Sequence, residues 1–425
     1  MDLRPFRHRD FRWLFAAQFV SVLGSMVSYV ALPYQVYRLT ESSFAVGLLG
    51  VAELVPLLVT AFIGGALADW LDRRRIVLAT EVGLAVGSGF LTLNALLPRP
   101  HVWPLFVAAG WMSALSGLQR PSLEAMTPRL VDKDELPAVA VLGTLRGSFG
   151  MIVGPAIGGM LIASVGLAST YVVDLCTYAF SFVAIRLIRN LPPPEGAESP
   201  SLARLREGFR YARSRQELIG TYFVDFVAMV FGMPLALFPA ISDRLGGPRV
   251  LGLLYTAPAV GALIATVTGR WTARVHRHGL AVMVAATVWG IGIVFFGLSE
   301  SLWPALFGLA LAGGADCVSG IFRLTMWNQT IPDTLRGRLA AIEMVSYMSG
   351  PLLGHTEAGA VAALFGVRAS VISGGVLCIL GVVVCGALLP RFMRYDARSF
   401  LRAQADDVAS GADGGPRVAD QSPLP

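Results

Sequence analysis

Gly64-Gly65-Ala66-Leu67-Ala68-Asp69-Trp70-Leu71-Asp72-Arg73-Arg74-Arg75 is the stretch on which the reading of this chain turns. It closes one long apolar run, Phe44 to Leu67, and opens a second, Ile76 to Leu97. A glycine pair, an aspartate one helical turn on and three consecutive arginines make a tight basic turn between two hydrophobic helices. Short loops rich in arginine are retained on the cytoplasmic side of a membrane. The turn therefore orients the rest of the chain, although a basic hairpin with a purely topological role would carry the same residues.

Outward from this turn the chain is apolar almost throughout. Of its 425 residues 55% are hydrophobic, and the mean hydropathy is +0.63, which describes an integral membrane protein and removes any estimate of soluble domains from length. The net charge of +6 is not a nucleic-acid signal: the basic residues fall in alternate loops and form no patch interleaved with aromatics on a polar face. Cys176, Cys317, Cys378 and Cys385 all lie in apolar runs without a CxxC pair, so neither a disulfide framework nor a zinc site is read from them. His276 and His278 stand close together in a basic loop, but no metal or cofactor is expected there. The first apolar run, Trp13 to Tyr37, is longer than a signal-peptide core and is expected to stay as the first span.

At about 20 helical residues per crossing, twelve spans are expected: 13–37, 44–69, 75–97, 103–127, 136–164, 168–189, 217–241, 250–273, 279–298, 302–327, 337–364 and 367–390. One set of loops carries Arg4, Arg7, Arg9 and Arg12, then Arg73 to Arg75, Arg129 with Lys133, the run from Arg186 to Arg215, Arg274 with Arg277, and Arg336 with Arg338. The other set has only Arg38, Arg99, Arg244, Arg249 and Arg368. Both termini are thus expected in the cytoplasm, with Trp103 and Trp303 anchoring helices at the far interface. Pro192 to Pro194 end the sixth span; beyond them Leu202, Leu205, Phe209 and Ala212 recur at helical spacing among arginines, as in a surface-lying amphipathic helix. The expected organisation is a first six-helix bundle over 1–190, a cytoplasmic linker over 191–216, a second bundle over 217–395, and a polar tail over 396–425 that is expected to be disordered.

The halves repeat one another. Val46-Gly47-Leu48-Leu49 is echoed by Leu251-Gly252-Leu253-Leu254, Arg120 before Thr127-Pro128 by Arg323 before Thr330 and Pro332, and Gly154-Pro155-Ala156-Ile157-Gly158 by Gly350-Pro351-Leu352-Leu353-Gly354. Three paired signals in one order mean a duplicated six-helix unit, the parallel-repeat architecture of one large transporter class.

On the six-plus-six spans, the basic central segment and the turn after span two, the chain resembles the major facilitator superfamily over residues 10–395. The Gly-Gly-Ala-Leu-Ala-Asp turn, Leu93-Asn94-Ala95-Leu96-Leu97-Pro98 and Pro332-Asp333-Thr334-Leu335-Arg336-Gly337-Arg338 are similar to the branch of enterobactin-type siderophore exporters and related drug-efflux proteins. The sequence departs from the superfamily signature at Trp70, where a basic residue is usual, and at Asp72, where glycine is usual. The resemblance implies that Asp69 engages the cytoplasmic end of span eleven and holds the halves together there; Arg73 and Arg74 either pair with it in a conformational gate that includes Arg336 or only hold topology. Gly150, Gly154, Pro155, Gly158 and Gly159 in span five, with Gly350, Pro351 and Gly354 in span eleven, are small residues and prolines that pack and bend helices; in the superfamily such a pattern accompanies export.

Charges inside spans are costly and mark candidate functional positions. At 1.5 Å rise per residue, Arg120, Asp225, Arg323 and Glu343 fall in the inner third, Arg146 and Asp316 near the middle, and Glu53, Asp174 and Glu357 in the outer half. Burial favours the protonated form of a carboxyl and a nearby arginine the charged form, so a site alternating between them binds and releases a proton. Asp225 and Asp316 are expected to carry it, then Glu53, with Arg120 and Arg146 as counter-charges or as holders of an anionic substrate group. Gln18, Tyr29, Tyr34, Trp111, Gln119, Met229, Phe322 and Trp327 complete an expected cavity wall suited to an amphipathic, aromatic-containing solute, although such a stripe also serves plain helix packing. No phosphate-binding Gly-Lys-Ser or Gly-Lys-Thr is present, Lys133 being the sole lysine, so ATP is not the direct fuel.

Together these readings describe a proton-coupled exporter in the cytoplasmic membrane, monomeric by resemblance. The alternatives are a broad drug exporter or a non-transporting sensor or scaffold; no cluster of nucleophile and base supports an enzyme.

Overall fold

The structure is a computed structural model that describes residues 2–191, 210–211, 213–331 and 333–398, with the side chains of 62, 65–70, 333–338 and 340–346 outside that description. The chain is an all-helical membrane protein with twelve crossings in two pseudo-symmetric bundles of six. In the first bundle are α1 (Arg9–Thr40), α2 (Ser43–Trp70), α3 (Arg73–Leu96) and α4 (Trp103–Met126), then one long element, Leu136–Arg186, broken at Gly166 into α5 (136–165) and α6 (167–186). The second holds α7 (Gln216–Phe231), the short α8 (Phe238–Leu245), α9 (Pro248–Thr268), α10 (His278–Leu298), α11 (Leu302–Thr330), α12 (Asp333–Phe365) and α13 (Val367–Leu388), followed by a turn of helix, α14 (Pro390–Met393).

Two boundaries differ from the sequence reading, each for a backbone reason. The expected loop between spans five and six shrinks to Gly166, whose φ of 80° and ψ of 174° reverse the chain within one residue, a conformation open to glycine. Gly366, with φ 91° and ψ 156°, does the same between α12 and α13, a further repeat of the two halves. The expected span 217–241 instead stops at Phe231. Pro234 offers no N–H, and after it the chain continues as a 3-10 turn, Leu235–Leu237, into α8.

Packing repeats between the halves as the sequence does. In the first bundle α5 lies on α1, α4 on α2 and α6 on α3; in the second α12 lies on α7, α11 on α9 and α13 on α10. Glycine permits the first of these contacts in both halves. A Cβ at Gly158 would stand 3.2 Å from the Val27 carbonyl oxygen, and one at Gly354 2.5 Å from that of Met229.

The core shows where the bundles meet. Toward the arginine-poor face one buried cluster runs through both, from Val30, Val46 and Ile162 to Leu251, Leu309 and Ala358. Toward the arginine-rich face, among the described residues, it divides into separate clusters around Phe11, Met126 and Leu142, around Val224, Phe322 and Val382, and around Leu218, Trp327 and Leu339. Cross-bundle hydrogen bonds follow the same asymmetry: among the described residues they run from Thr356 Oγ1 to the Gly47 carbonyl at 3.0 Å and from Thr256 Oγ1 to the Ile152 carbonyl at 2.9 Å. Both lie in the arginine-poor half. Among the described residues the bundles are joined at that end.

A thread of polar groups stiffens the first bundle. Asp174, fully buried, accepts from Ser28 Oγ at 2.5 Å and Ser88 Oγ at 3.0 Å, while Tyr171 donates to Gln35 Oε1 at 2.8 Å. A buried hydroxyl that loses its acceptor costs about 1–3 kcal/mol. Asp174→Leu is therefore expected to lower the thermal midpoint of the purified protein by several degrees, with Asp174→Asn, which keeps an acceptor oxygen, losing much less. Equal losses in both variants would refute the hydrogen-bonding role.

The expected linker lies outside the described residues except at its ends, where Tyr211 Oη donates to the Thr330 carbonyl at 3.0 Å and ties the linker to the end of α11. The expected tail beyond residue 398 also lies outside them.

Candidate functional site

Three charged residues meet inside the second bundle. Arg323 on α11 forms an ion pair with Asp225 on α7, and its other terminal nitrogen reaches Asp316, two turns earlier on α11, at 3.4 Å. Arg323 and Asp225 are largely buried, with 16% and 11% of the side chain exposed, whereas Asp316 keeps 41%. Sharing one guanidinium between two carboxylates leaves the trio one negative charge in excess when all three are ionised. A proton, or a cationic group of a solute, restores neutrality.

The expected counter-charges have other partners. Arg120 pairs with Glu124 one turn along α4 at 3.0 Å, and Arg146 on α5 hydrogen-bonds Gln18 on α1. Arg323, which the sequence reading placed among the inner charges without choosing it, is the cation of the Asp225 and Asp316 pair. The signal for it was present, because residues seven apart on a helix lie two turns along one face.

Arg120, Arg146, Gln18 and Gln119 line a cavity of about 430 Å³ in the arginine-rich half, together with Phe15 and Glu81. Glu81 on α3 was not picked out from sequence. It is 3% exposed and accepts from Gln119 Nε2 at 2.9 Å. The rule applied to other lone acids in apolar runs points to it equally.

Glu53 lies in a second cavity, of about 250 Å³, where the bundles close on each other, with Tyr29 and Tyr34's neighbour Pro33 from the first bundle and Tyr255 and His355 from the second. The Tyr29 and Tyr255 rings stand edge to face at 5.4 Å across the bundle boundary.

Several expected wall residues lie against other helices. Tyr34 is buried in the shared core, and Met229 packs where α7 meets Gly350 of α12. Trp111 donates from Nε1 to the Gly83 carbonyl at 2.8 Å, on the α3 side of α4. Trp327 donates to Thr221 Oγ1 at 2.9 Å, and Phe322 lies against Trp271 and His278. Aromatic spacing alone does not distinguish a helix's cavity face from its packing faces.

At the opening turn, Asp72 caps α3 by accepting from the Arg74 amide at 2.9 Å. Arg74 reaches the C-terminal end of α6, donating to the carbonyls of Ile185 at 3.1 Å and Arg186 at 2.5 Å and to the Asn190 side chain. Arginine over the last carbonyls of a helix satisfies free acceptors and opposes the dipole. Arg73 donates to the Ala125 carbonyl at 3.2 Å. These bonds lie within the first bundle, so they brace it. The side chains of Asp69 and Arg336 are outside the described residues. Among the described residues, the group His8, Asp132 and Glu135 has metal-ligand chemistry, and there His8 Nε2 lies 2.8 Å from Glu135 Oε2.

The model of the transmembrane secretion effector family matches residues 1–414. The chain belongs to this family. The secretion-effector chain is accordingly a membrane transporter of the major facilitator type and not an enzyme. It is 27% identical over 406 residues to the Enterobactin exporter EntS of Escherichia coli O6:K15:H31 (strain 536 / UPEC), covering 95% of this chain and 96% of that one. To the protein of the same name from Shigella boydii serotype 18 it is 28% identical over 383 residues, covering 90% and 91%. Among solved structures it shares its fold with the nucleoside transporter NupG, at a TM-score of 0.73 and 11% identity over 88% of this chain and 98% of that one. A POT family transporter in complex with 5-aminolevulinic acid aligns at a TM-score of 0.69 and 12% identity over 90% and 96%.

Proposed function

We propose that this secretion-effector chain exports a small amphipathic, siderophore-like molecule across the cytoplasmic membrane by alternating access, in exchange for protons. The arginine-rich face is the cytoplasmic one and holds both termini. The observation that carries the reading is the Asp225, Arg323 and Asp316 trio, an ionisable group inside the membrane with one carboxylate in excess. Such intramembrane clusters serve proton and substrate paths.

Two further features support it. The 430 Å³ cavity lies in the arginine-rich half, where among the described residues the buried core divides between the bundles, and this suits entry of a solute from the cytoplasm. Arg146 and Arg120 in that cavity suit an anionic oxygen, and Phe15 an apolar ring. In this cycle the solute enters from the cytoplasm, and protonation of the trio from the opposite side returns the empty carrier. A ligand shifts the two states only by its difference in affinity between them. The unit is monomeric, with the boundaries at 190, 216 and 395 separating bundle, linker, bundle and tail. The relatives named enterobactin exporter supply the solute class, a siderophore such as enterobactin.

The test is mass spectrometry of metabolites inside and outside iron-starved cells, comparing a strain lacking the gene with its complemented form. The expected result is an iron chelator retained inside the deletion strain and depleted at least severalfold from its medium. An unchanged distribution would overturn the siderophore reading and shift the assignment to broad efflux of lipophilic compounds, with competition among unrelated antibiotics as the next assay.

A further inference from the structure

A third concavity lies apart from both cavities described above, on the membrane-facing side of the second bundle. Helices α9 and α10 both pack on α11, and a groove of about 660 Å³ runs between them. Its floor is buried, with Phe322 at 2% and Ala285 at 6% exposure, and its rim is open, with Trp271 at 47% and Val284 at 54%. Among its lining residues only Thr268 and Arg277 are polar or charged apart from the Trp271 indole N–H. It begins at Arg277, at the arginine-rich face, and follows α10 to Val288, which is roughly 16 Å at 1.5 Å per residue. That depth is about one leaflet of a ~30 Å hydrocarbon layer.

The mouth is cationic. The 3-10 turn Gly269–Arg274 that joins α9 to α10 brings Arg270 and Arg274 beside Arg277, and all three are exposed. From Gly246 to Ser299 the sequence contains no Asp or Glu. The nearby acid, Asp396, is engaged by Arg398 at 3.2 Å, and the backbone N–H of Ala397 holds the His276 carbonyl beside the turn at 2.9 Å. Among the described residues Arg270, Arg274 and Arg277 make no ion pair with one another's neighbours or with any acid.

We propose that this groove seats an anionic phospholipid, with one acyl chain lying between α9 and α10 over α11 and the phosphate held at Arg277 and Arg274. An apolar slot of leaflet depth with a basic rim is complementary to that molecule and to few others. Basic pockets between transmembrane helices on the cytoplasmic side recognise such headgroups. A zwitterionic lipid would fill the slot without using the rim. The transported solute has its own cavity, in the other bundle. The bound chain would lie against Phe322, next to Arg323, and along α9, which makes a cross-bundle contact through Thr256. Lipid occupancy would therefore bear on both the charge trio and the closed end.

The full-length protein, reconstituted in phosphatidylcholine vesicles, is titrated with acyl-brominated phosphatidylglycerol or acyl-brominated phosphatidylcholine. Quenching of Trp271 is taken as the difference between the unmutated protein and Trp271→Phe. Per lipid, the anionic quencher is expected to be more effective by about fivefold for each arginine engaged, from about 1 kcal/mol per basic residue. Arg277→Gln should reduce that preference, and Arg274→Gln with Arg277→Gln should abolish it while leaving quenching by the zwitterionic lipid intact. Equal quenching by both lipids in the unmutated protein, or no quenching by either, would overturn the proposal. So would displacement of the quencher by the exported solute, which would make the groove part of the transport path.

Discussion

Uphill transport is expected to be lost in Asp225→Asn and in Asp316→Asn, and Arg323→Met is expected to lose both transport and stability. The three predictions follow from one arrangement, in which Arg323 sits between two carboxylates inside the second bundle. Removing one partner of a buried ion pair costs about 3–5 kcal/mol, because the other charge remains without compensation. In Arg323→Met two acids are left uncompensated, so thermal unfolding in detergent should fall sharply. The asparagine variants remove the excess charge instead and should fold. In proteoliposomes with an imposed pH gradient they should equilibrate solute down its gradient but accumulate none against it, a drop of at least tenfold in the final concentration ratio. Wild-type accumulation in both asparagine variants would sink the assignment of the proton to this trio.

The second large effect is expected where the bundles touch. A Cβ at Gly252 would stand 2.6 Å from the Pro155 carbonyl oxygen, and one at Gly359 2.7 Å from the Ser43 carbonyl oxygen and 3.0 Å from the Gly47 Cα. These obstacles are backbone, which cannot turn aside as a side chain does. Overpacking costs about 1–3 kcal/mol, and here the cost falls only on the state closed at the arginine-poor face. Gly252→Leu or Gly359→Leu is thus expected to shift the population toward the opposite state by about 5- to 150-fold. The readout is Ala236→Cys, in the closed cavity, in a background with Cys176, Cys317, Cys378 and Cys385 replaced. Its labelling by an impermeant maleimide from the arginine-poor side should accelerate correspondingly, and an unchanged rate would mean these contacts do not set the equilibrium.

Much of this architecture is legible in the sequence, because a bilayer constrains it so strongly. Twenty apolar residues in a row have few other uses, and the duplicated Gly-Pro signals of 154–158 and 350–354 fall on α5 and α12, which pack equivalently on α1 and α7. Connections shorter than a turn were not legible. The expected loop at 165–167 is a single residue, Gly166, since a positive φ leaves no mark on hydropathy, and the expected span 217–241 runs across Pro234, before which α7 ends. The site divides in the same way. Asp225 and Asp316 stood out as charges in apolar runs, but the identity of their cation depended on which face of α11 meets α7. Arg120 and Arg323 occupy equivalent positions in the repeat and engage different partners, Glu124 in one case and two aspartates in the other. Symmetry of sequence thus predicted the helices better than their chemistry.

The one-residue corners at Gly166 and Gly366 belong to a wider economy on the arginine-poor face. There α1 passes to α2 through residues 41–42, α3 to α4 through 97–102, α8 to α9 through Gly246 and Gly247, and α10 to α11 through 299–301. A protease, an antibody or a phage tail fibre arriving at that face meets almost no free chain to grip. Epitope tags or fluorescent fusions placed there would have to pry helices apart, so reporters of this protein belong on its other side.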